Sequence, residues 1–308
     1  MKTTFSRIFV SVIALFVLVA ILPTQTIAQD STKVEAPKPK KKSDKPVRSP
    51  WNAGMLIETQ TDLVWAPKTL EFVIQHRFGN LGSGTFDLAG LYAPSNIRLA
   101  FNYGLFKNAQ IGIGTTKDKK IQDVNWKYKI LTQTRSNSMP IAMTYYGNIE
   151  INASEKSTFG TGDNYRFANR VSFFNQFIIS RKFSKKLTMQ VTLNYAHFNL
   201  IDTNVVGMGE LKHDNFGFGV AGRYKVGSNT ALMLEYDQAL TTPENIKPNL
   251  SFGVEMGTSA HVFQVFVTTY RAISYQNNMV YNSNDFTKFE DDGWGILVGF
   301  NMTRNWNF

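Results

Sequence analysis

Apolar and polar side chains alternate along the chain from residue 70 onward. In residues 70–78, Leu70, Phe72 and Ile74 share one face, whereas Glu71 and Gln75 share the other. A period of two is that of a β-strand, whose successive side chains point to opposite sides of the sheet. Because the same alternation returns in later segments, the sequence predicts an all-β fold.

Twelve segments are predicted to form strands. They are residues 70–78, 96–105, 109–116, 122–132, 140–151, 169–182, 187–199, 214–225, 230–239, 250–257, 261–270 and 293–304. In 169–182 and 261–270 the alternation is blurred, which predicts a β-bulge or a displaced strand boundary there.

The arrangement of the faces distinguishes a soluble β-sandwich from a membrane barrel. A sandwich buries its apolar side, whereas a membrane barrel turns that side to lipid and its polar side to the lumen. Here the polar faces are rich in Gly, Asn, Thr and charged residues, and tight turns alternate with long connections at 79–95, 153–167, 200–213 and 271–292. We therefore expect a transmembrane antiparallel up-and-down β-barrel of about 12 strands.

The N-terminal segments have a different composition. Residues 1–28 have a charged start, an apolar stretch at 8–22 and small residues before position 29, which is typical of a signal peptide. The alternative is an uncleaved anchor. Residues 29–50 hold seven Lys or Arg, three acids and four Pro, and such a segment is predicted to be a disordered basic tail in the periplasm.

Residues 51–69 alternate poorly, and they are predicted to form either a plug in the mouth of the barrel or an extra strand. The barrel itself is assigned to 70–308. An even number of strands places both ends of the barrel chain on one side, which export makes the periplasm. The long loops are then outside the cell, and the location is the outer membrane of a Gram-negative bacterium.

Composition narrows the classes further. The chain has 308 residues, of which 18% are charged and 13% aromatic, and its mean hydropathy is −0.20. Beyond residue 28 no apolar run approaches the roughly 20 residues of a spanning helix, which excludes a helical membrane protein. The absence of Cys excludes disulfides and thiolate metal sites.

The formal net charge of +10 owes +4 to the tail alone. Because the chain is predicted to be exported, this charge does not indicate nucleic-acid binding. The tail is expected to be a solvated tether, or else to contact an anionic lipid, a polymer or a periplasmic or surface partner.

The end of the chain carries a second signal. A last strand that ends in Phe308, with the aromatic Trp306 two residues before, resembles the recognition signal read by the outer-membrane barrel insertion machinery. The expected partners are therefore this machinery and the lipid of the outer membrane.

Longer strings carry a family resemblance. They are LEFVIQHRFGN at 70–80, FDLAGLYAPSNIRLAFNYG at 86–104, KYKILTQT at 127–134, MPIAMTYYG at 139–147, AHVFQ at 260–264 and GFNMTR at 299–304. They resemble an uncharacterised family of bacterial outer-membrane β-barrels, classed as a domain of unknown function. The resemblance covers most of 55–304 and implies location and architecture, but no activity and no catalytic residues.

Charged residues on the polar faces are the candidate site. Strict alternation turns seven basic and six acidic side chains into the lumen: Arg77, Arg98, Lys127, Lys129, Lys182, Arg223 and Lys225, with Glu71, Asp123, Glu150, Glu235, Asp237 and Glu255. A balanced set predicts ion pairs across neighbouring strands in a narrow lumen, for example Arg223 or Lys225 with Glu235 or Asp237. Exposed in an open lumen, the same residues would instead set ion selectivity.

Candidate catalytic residues are scarce. Barrel phospholipases need a His-x-Ser pair, and the nearest sequence is His197-Phe198-Asn199, which lacks the nucleophile. His76, His213 and His261 are expected to be hydrogen-bonded strand or rim residues. No metal or cofactor motif is present. The sequence thus favours a narrow channel or ligand-binding barrel for small polar solutes. The alternative is a structural or partner-binding barrel with a mostly closed lumen, and a membrane enzyme is less expected.

Overall fold

The computed structural model describes residues 44–308 except 82–87, 89, 160–164, 202–210, 288 and 291–292. The predicted signal peptide and residues 29–43 of the basic tail lie outside the described residues. No helix in the described part of the chain is long and apolar enough to cross a membrane.

The fold consists of sixteen strands and one α-helix among the described residues. The elements in chain order are β1 (Met55–Leu56), β2 (Thr59–Gln60), β3 (Thr69–Asn80), β4 (Asn96–Phe106), β5 (Ala109–Thr116), β6 (Gln122–Leu131), β7 (Ala142–Ile151), β8 (Val171–Lys182), β9 (Leu187–Phe198), β10 (Asp214–Lys225), β11 (Thr230–Ala239), β12 (Asn249–Gly257), β13 (His261–Thr268), α1 (Tyr275–Tyr281), β14 (Phe289–Glu290), β15 (Gly293–Trp294) and β16 (Leu297–Asn307).

Twelve of these strands close into a barrel. From β3 to β13 each strand pairs antiparallel with the next, and β16 pairs with both β13 and β3. Closure leaves no sheet edge, so the backbone groups of every strand have partners without water. The predicted twelve-stranded antiparallel barrel is confirmed.

The apolar faces of the strands point outward. On β4, Leu99, Phe101 and Tyr103 are exposed, whereas Arg98 and Ala100 between them are buried. The exposed outer surface is therefore apolar and the interior is rich in polar side chains, the inverse of a soluble β-sandwich. This confirms the predicted direction of the two faces.

The two strands with blurred alternation contain no bulge in their pairing. β8 pairs with β7 and β9, and β13 with β12 and β16, without any register shift. A bulge is therefore wrong, whereas the alternative of a displaced boundary holds, since β8 begins at Val171 and β13 ends at Thr268. The alternation is also blurred by apolar side chains that point inward. Phe174 and Ile178 of β8 pack near α1, and Phe266 of β13 packs against residues of the N-terminal segment.

The last barrel strand lies further along the chain than the predicted 293–304. β16 begins at Leu297, and its Asn307 pairs with Thr69 at the start of β3. Gly293 and Trp294 form β15 and pair with β14 outside the barrel sheet. A register shift between Leu297 and Gly299 marks the point where β16 joins β3.

The barrel has two different ends. The turn side carries the short connections that follow β4, β6, β8, β10 and β12, together with the N-terminal segment and Phe308. The loop side carries α1 and the connections that follow β3, β5, β7, β9, β11 and β13, which include the longest ones. Residues 44–48 run along the turn after β6, where Val47 N donates to Gln133 O at 2.8 Å and Arg135 N to Lys45 O at 3.0 Å.

Candidate functional site: the lumen and its plug

Residues 51–68, called the plug below, lie inside the barrel as far as Trp65 and add no strand to its wall. β1 and β2 pair only with each other. Trp51, Leu56, Ile57 and Leu63 are buried in one cluster with the inward-facing residues Ala221, Met233 and Phe266 of the wall. This apolar cluster gives the plug a small core of its own within a polar lumen.

Two acidic side chains of the wall bind backbone N–H groups of the plug. Glu235 Oε2 accepts from Glu58 N at 3.1 Å and from Thr59 N at 3.2 Å, at the turn between β1 and β2. Glu71 Oε1 accepts from Gly54 N at 3.2 Å. Both carboxylates are buried, and each therefore satisfies a main-chain donor that no water reaches.

Lys127 holds the plug from the opposite direction. Its buried ammonium donates to the carbonyl oxygens of Gly54, Thr61 and Leu63 at 2.5, 3.0 and 3.3 Å. An ammonium group has three donors, so all of them are used on the backbone of the plug. Lys127 thus ties together both arms of the β1–β2 hairpin.

Arg77 forms the shorter of the two ion pairs seen between wall and plug among the described residues. Its Nε lies 2.8 Å from Glu58 Oε1, with both side chains buried. Arg77 Nη1 also donates to Asn301 Oδ1 at 3.1 Å, and the guanidinium lies 4.5 Å from the ring centroid of Phe266. The partner of this arginine is therefore in the plug and not in a neighbouring strand.

Asp62 of the plug gathers contacts from three sides. Ser180 Oγ donates to its Oδ1 at 2.6 Å, Lys129 Nζ lies 3.5 Å from its Oδ2, and the indole N–H of Trp51 donates to Oδ1. Lys129 keeps 18% of its side chain exposed, so its ion pair is wetter than that of Arg77.

Neutral amide side chains of the wall complete the plug site, although the pattern of charged residues does not indicate them. Gln190 Nε2 donates to Gln60 O at 2.7 Å, Gln264 Nε2 to Met55 O at 3.1 Å, and Gln110 Oε1 accepts from Trp65 N at 3.0 Å. The recurrence of Gln on the polar strand faces could have indicated these residues, because a long amide side chain both donates and accepts hydrogen bonds.

Arg223 pairs with Glu255, which corrects the predicted pairs. The Nη2–Oε1 distance is 2.7 Å and both side chains are buried. Glu235 and Asp237 stand opposite Ala221 and Gly219 in the register of β10, so they lie at other levels than Arg223. Lys225 is half-buried near the end of its strand, and no ion pair of it is recorded in the described part of the chain.

A second wall pair also skips a strand. Arg98 Nη2 lies 2.7 Å from Asp123 Oδ1, and Nε 2.9 Å from Oδ2, across the intervening strand β5. Gly114 of β5 makes room, because a Cβ there would lie 2.3 Å from Asp123 Oδ2 and 2.5 Å from Arg98 Nη2. Both of these wall pairs therefore join strands two apart and not neighbours.

The loop side of the lumen is filled by α1. Ser274, its N-cap, donates to Glu150 Oε2 at 2.6 Å, and Gln276 Nε2 donates to Asn148 Oδ1 at 3.0 Å. Met279 and Val280 pack in a buried cluster with residues of β7, β8 and β9. Plug and α1 meet where Gln60 Nε2 donates to the hydroxyl of Tyr275.

The spaces left in the interior are small. A cavity of about 30 Å³ lies between plug, α1 and wall beside Glu58 and Glu235, and another of about 10 Å³ lies beside Arg98. A larger pocket of about 380 Å³ opens on the loop side and is lined by residues that include Lys119, Glu150, Arg170 and Tyr281.

The histidines take outer and rim positions. His76 lies on the outer face, stacked 5.1 Å from the ring of Phe300, and His197 Nδ1 lies 2.8 Å from Asp214 Oδ1. Among the described residues, no group of three or more His, Asp or Glu is arranged to hold a metal ion.

The two aromatic residues proposed as an insertion signal lie at the turn-side end of β16. Phe308 is 77% exposed, and its N–H donates to Lys68 O at 3.0 Å. Arg304 lies 5.0 Å from the ring centroid of Trp306.

The barrel and its plug match a known protein family. Residues 51–306 match the family described as membrane bound beta barrel domain (DUF5777). The chain belongs to this family. The match begins at Trp51 and so includes the plug with the barrel, and it confirms the resemblance to an uncharacterised barrel family. No curated protein matches the chain in sequence.

Solved structures share the barrel at low identity. The NanC porin is 9% identical with a TM-score of 0.46, over 78% of this chain and 99% of that chain. The KdgM porin in complex with disordered oligogalacturonate is 8% identical with a TM-score of 0.42, over 78% and 99%. LpxR from Salmonella typhimurium is 10% identical with a TM-score of 0.35, over 78% and 100%. Likeness at this level carries no argument about a solute or an activity.

Proposed function

We propose that this protein is an outer-membrane β-barrel of a Gram-negative bacterium that takes up small polar solutes through a lumen closed at rest by its plug. The observation that carries the proposal is the plug, residues 51–68, fastened inside the barrel by charged and amide side chains of the wall. Solute passage then requires the plug to move.

The outer-membrane location is supported by sequence and fold together. The family is membrane-bound, the barrel turns its apolar face outward, and the first 28 residues have the pattern of an export signal. A closed barrel is the form in which strands cross a membrane with every backbone group paired.

The kind of contacts between plug and wall supports displacement of the plug. Many of its contacts are hydrogen bonds from wall side chains to the backbone of the plug, including those of Glu235, Lys127 and Gln190. Water can replace such bonds when the segment shifts, so the net free-energy cost per bond is about 1 kcal/mol. Water could not replace apolar contacts over the same area in this way.

The pocket on the loop side supports a small polar solute. Its volume of about 380 Å³ lies within the usual range for small-molecule sites. Lys119 Nζ donates to Asn277 Oδ1 at 3.1 Å and lies 5.2 Å from the ring centroid of Tyr281. A solute in this pocket would contact α1, which in turn touches the plug through Tyr275.

A permanently closed barrel with a structural or partner-binding role is the alternative, and the dense contacts of plug and α1 favour it. The proposal includes no catalysis. The position that would carry a His-x-Ser pair has Asn199, whose Oδ1 lies 3.0 Å from His197 Nε2.

Single-channel conductance of the full-length protein in planar bilayers tests passage. We expect the wild type to be closed with brief openings. Lys127→Met should raise the open fraction about tenfold, because three plug carbonyls lose their donor. Lys225→Met removes the same charge from another inward position, which forms no ion pair in the described part of the chain, so it should change the open fraction little.

Each outcome decides between the alternatives. A steadily open wild type would contradict closure by the plug. Absence of openings in the wild type and in Lys127→Met, with both proteins folded by heat-modifiable gel migration, would reject uptake through the lumen and leave the closed barrel. Equal opening of both lysine variants would remove the assigned role of Lys127.

A further inference from the structure

Arg181 is a buried arginine on the outer side of the barrel. It is the second-last residue of β8 and stands opposite Met189 of β9. Its neighbours in the strand, Ser180 and Lys182, belong to the inward-facing set, since Ser180 binds Asp62 of the plug. Alternation therefore directs Arg181 away from the lumen, towards the membrane.

The guanidinium of Arg181 lacks partners within the described structure. The residue is 6% exposed, yet its Nε and Nη1 are buried without a hydrogen-bond acceptor. No carboxylate among the described residues forms an ion pair with it. The ring of Phe183 lies 5.4 Å from its Cζ and covers one side. An arginine is not stable in that state, because a buried charge needs a counter-charge.

The surroundings of Arg181 are basic and lie at the level where the strands leave the membrane. Lys185 and Lys186 follow in the turn between β8 and β9, and both are exposed. The five short turns of this side, residues 107–108, 132–141, 183–186, 226–229 and 258–260, contain four Lys or Arg and no Asp or Glu. These turns therefore offer Arg181 no carboxylate.

We propose that Arg181, with Lys185 and Lys186, binds the phosphodiester of an anionic phospholipid in the adjacent leaflet. Phosphate oxygens are strong acceptors for guanidinium N–H groups. Nε and Nη1 point to different sides of the group and are both buried, so the side chain has to turn outward to bind the lipid. The two lysines add positive charge at headgroup depth, and Phe183 and Met189 offer apolar surface to the acyl chains. With the turn side in the periplasm, the lipid belongs to the inner leaflet of the outer membrane.

Lipid retention by the full-length protein tests this site. The wild type, Arg181→Gln and Arg304→Gln are purified in the same detergent, and bound phosphatidylglycerol is titrated by native mass spectrometry. Arg181→Gln should lose affinity about tenfold, the effect of losing a charged hydrogen bond. Arg304→Gln is the matched control, because Arg304 also lies near the turn side beside an aromatic ring but is exposed. Its affinity should stay within about twofold.

A second measurement guards against a folding defect. Heat-modifiable migration must be the same for all three proteins. Phosphatidylglycerol vesicles should raise the unfolding temperature of the wild type more than phosphatidylcholine vesicles do, and Arg181→Leu should abolish that difference. Equal retention by Arg181→Gln and the wild type, or equal effects of the two lipids, would overturn the proposal. Binding of lipid A phosphates but not of phosphatidylglycerol would also overturn it, since that lipid occupies the other leaflet.

Discussion

The position of the plug backbone, and of strand residues without a side chain, determines which lumen residues pair with each other. Arg98 reaches Asp123 because Gly114 between them has no side chain. Lys127 has three carbonyl partners although no carboxylate binds it directly. Sequence alternation correctly turned these side chains inward, but it could not show which of them meet.

The pair of Arg223 and Glu255 gives a test at this scale. Arg223→Glu should lower the free energy of unfolding by about 3 kcal/mol, because it leaves like charges buried together. Adding Glu255→Arg should recover part of the loss by restoring the attraction. Urea unfolding of the barrel in lipid vesicles, followed by gel migration, measures both effects.

Glu235→Arg is the matched control for this exchange. Glu235 accepts from two N–H groups of the plug and stands opposite Ala221, so reversing its charge should deepen the defect of Arg223→Glu. Rescue by Glu235→Arg without rescue by Glu255→Arg would contradict the pairing seen in the structure.

At the scale of elements, the strands were predictable, the plug was one of two alternatives for residues 51–69, and the helix in the lumen was not foreseen. β8 and α1 show why. Phe174 and Ile178 of β8 face inward, where Met279 and Val280 of α1 pack against them, so their apolar character blurs the alternation. The segment of α1 was expected to be part of a long outer loop, because no local pattern reports that a loop folds back into a lumen.

The last strand provides the test for an element. Replacing Trp306 and Phe308 with Ala should strongly reduce assembled barrel in the outer membrane while synthesis stays unchanged, because insertion is predicted to read the end of β16. Phe308 is 77% exposed and Trp306 is half-buried, so the folded barrel should lose little stability. Immunoblots of membrane fractions with and without heating measure assembly.

Phe106→Ala serves as a control for this experiment. Phe106 is also highly exposed, at 67%, and ends β4 on the same side of the barrel. Its replacement should leave assembly unchanged. Normal assembly of the Trp306 and Phe308 double variant would show that the chain end is not the insertion signal.

At the scale of the whole molecule, orientation is the property that the barrel architecture predicts. Both ends of the barrel strands' chain, at Thr69 and Asn307, lie on the side of the short turns, and the predicted export signal would place that side in the periplasm. Protease added to intact cells should therefore cut within 153–167, or within 271–292 outside the buried helix α1, and spare the short turns. Mass spectrometry of the released peptides locates the cuts.

Lysed cells provide the control, since both sides are then open to the protease. Cuts confined to 105–109 or 184–187 in intact cells would reverse the orientation. They would also move the Arg181 site to the outer leaflet.

The sequence by itself determined the wall of this protein. A period of two specifies which side chains face lipid and which face the lumen, because a strand has only two faces. The number of strands and their antiparallel order followed from the same pattern and the spacing of turns. These are local properties of the chain, so they can be predicted from local sequence.

The tertiary structure decided what fills the lumen. Glu58 and Arg77 are 19 residues apart, but Glu235 and Thr59 are 176 apart, and both contacts depend on the plug lying inside the lumen. Such contacts form between segments whose sequences carry no shared period. Only barrel closure brings these segments together. Closure therefore also decides whether a line of charged residues forms an open path or the binding surface of a plug.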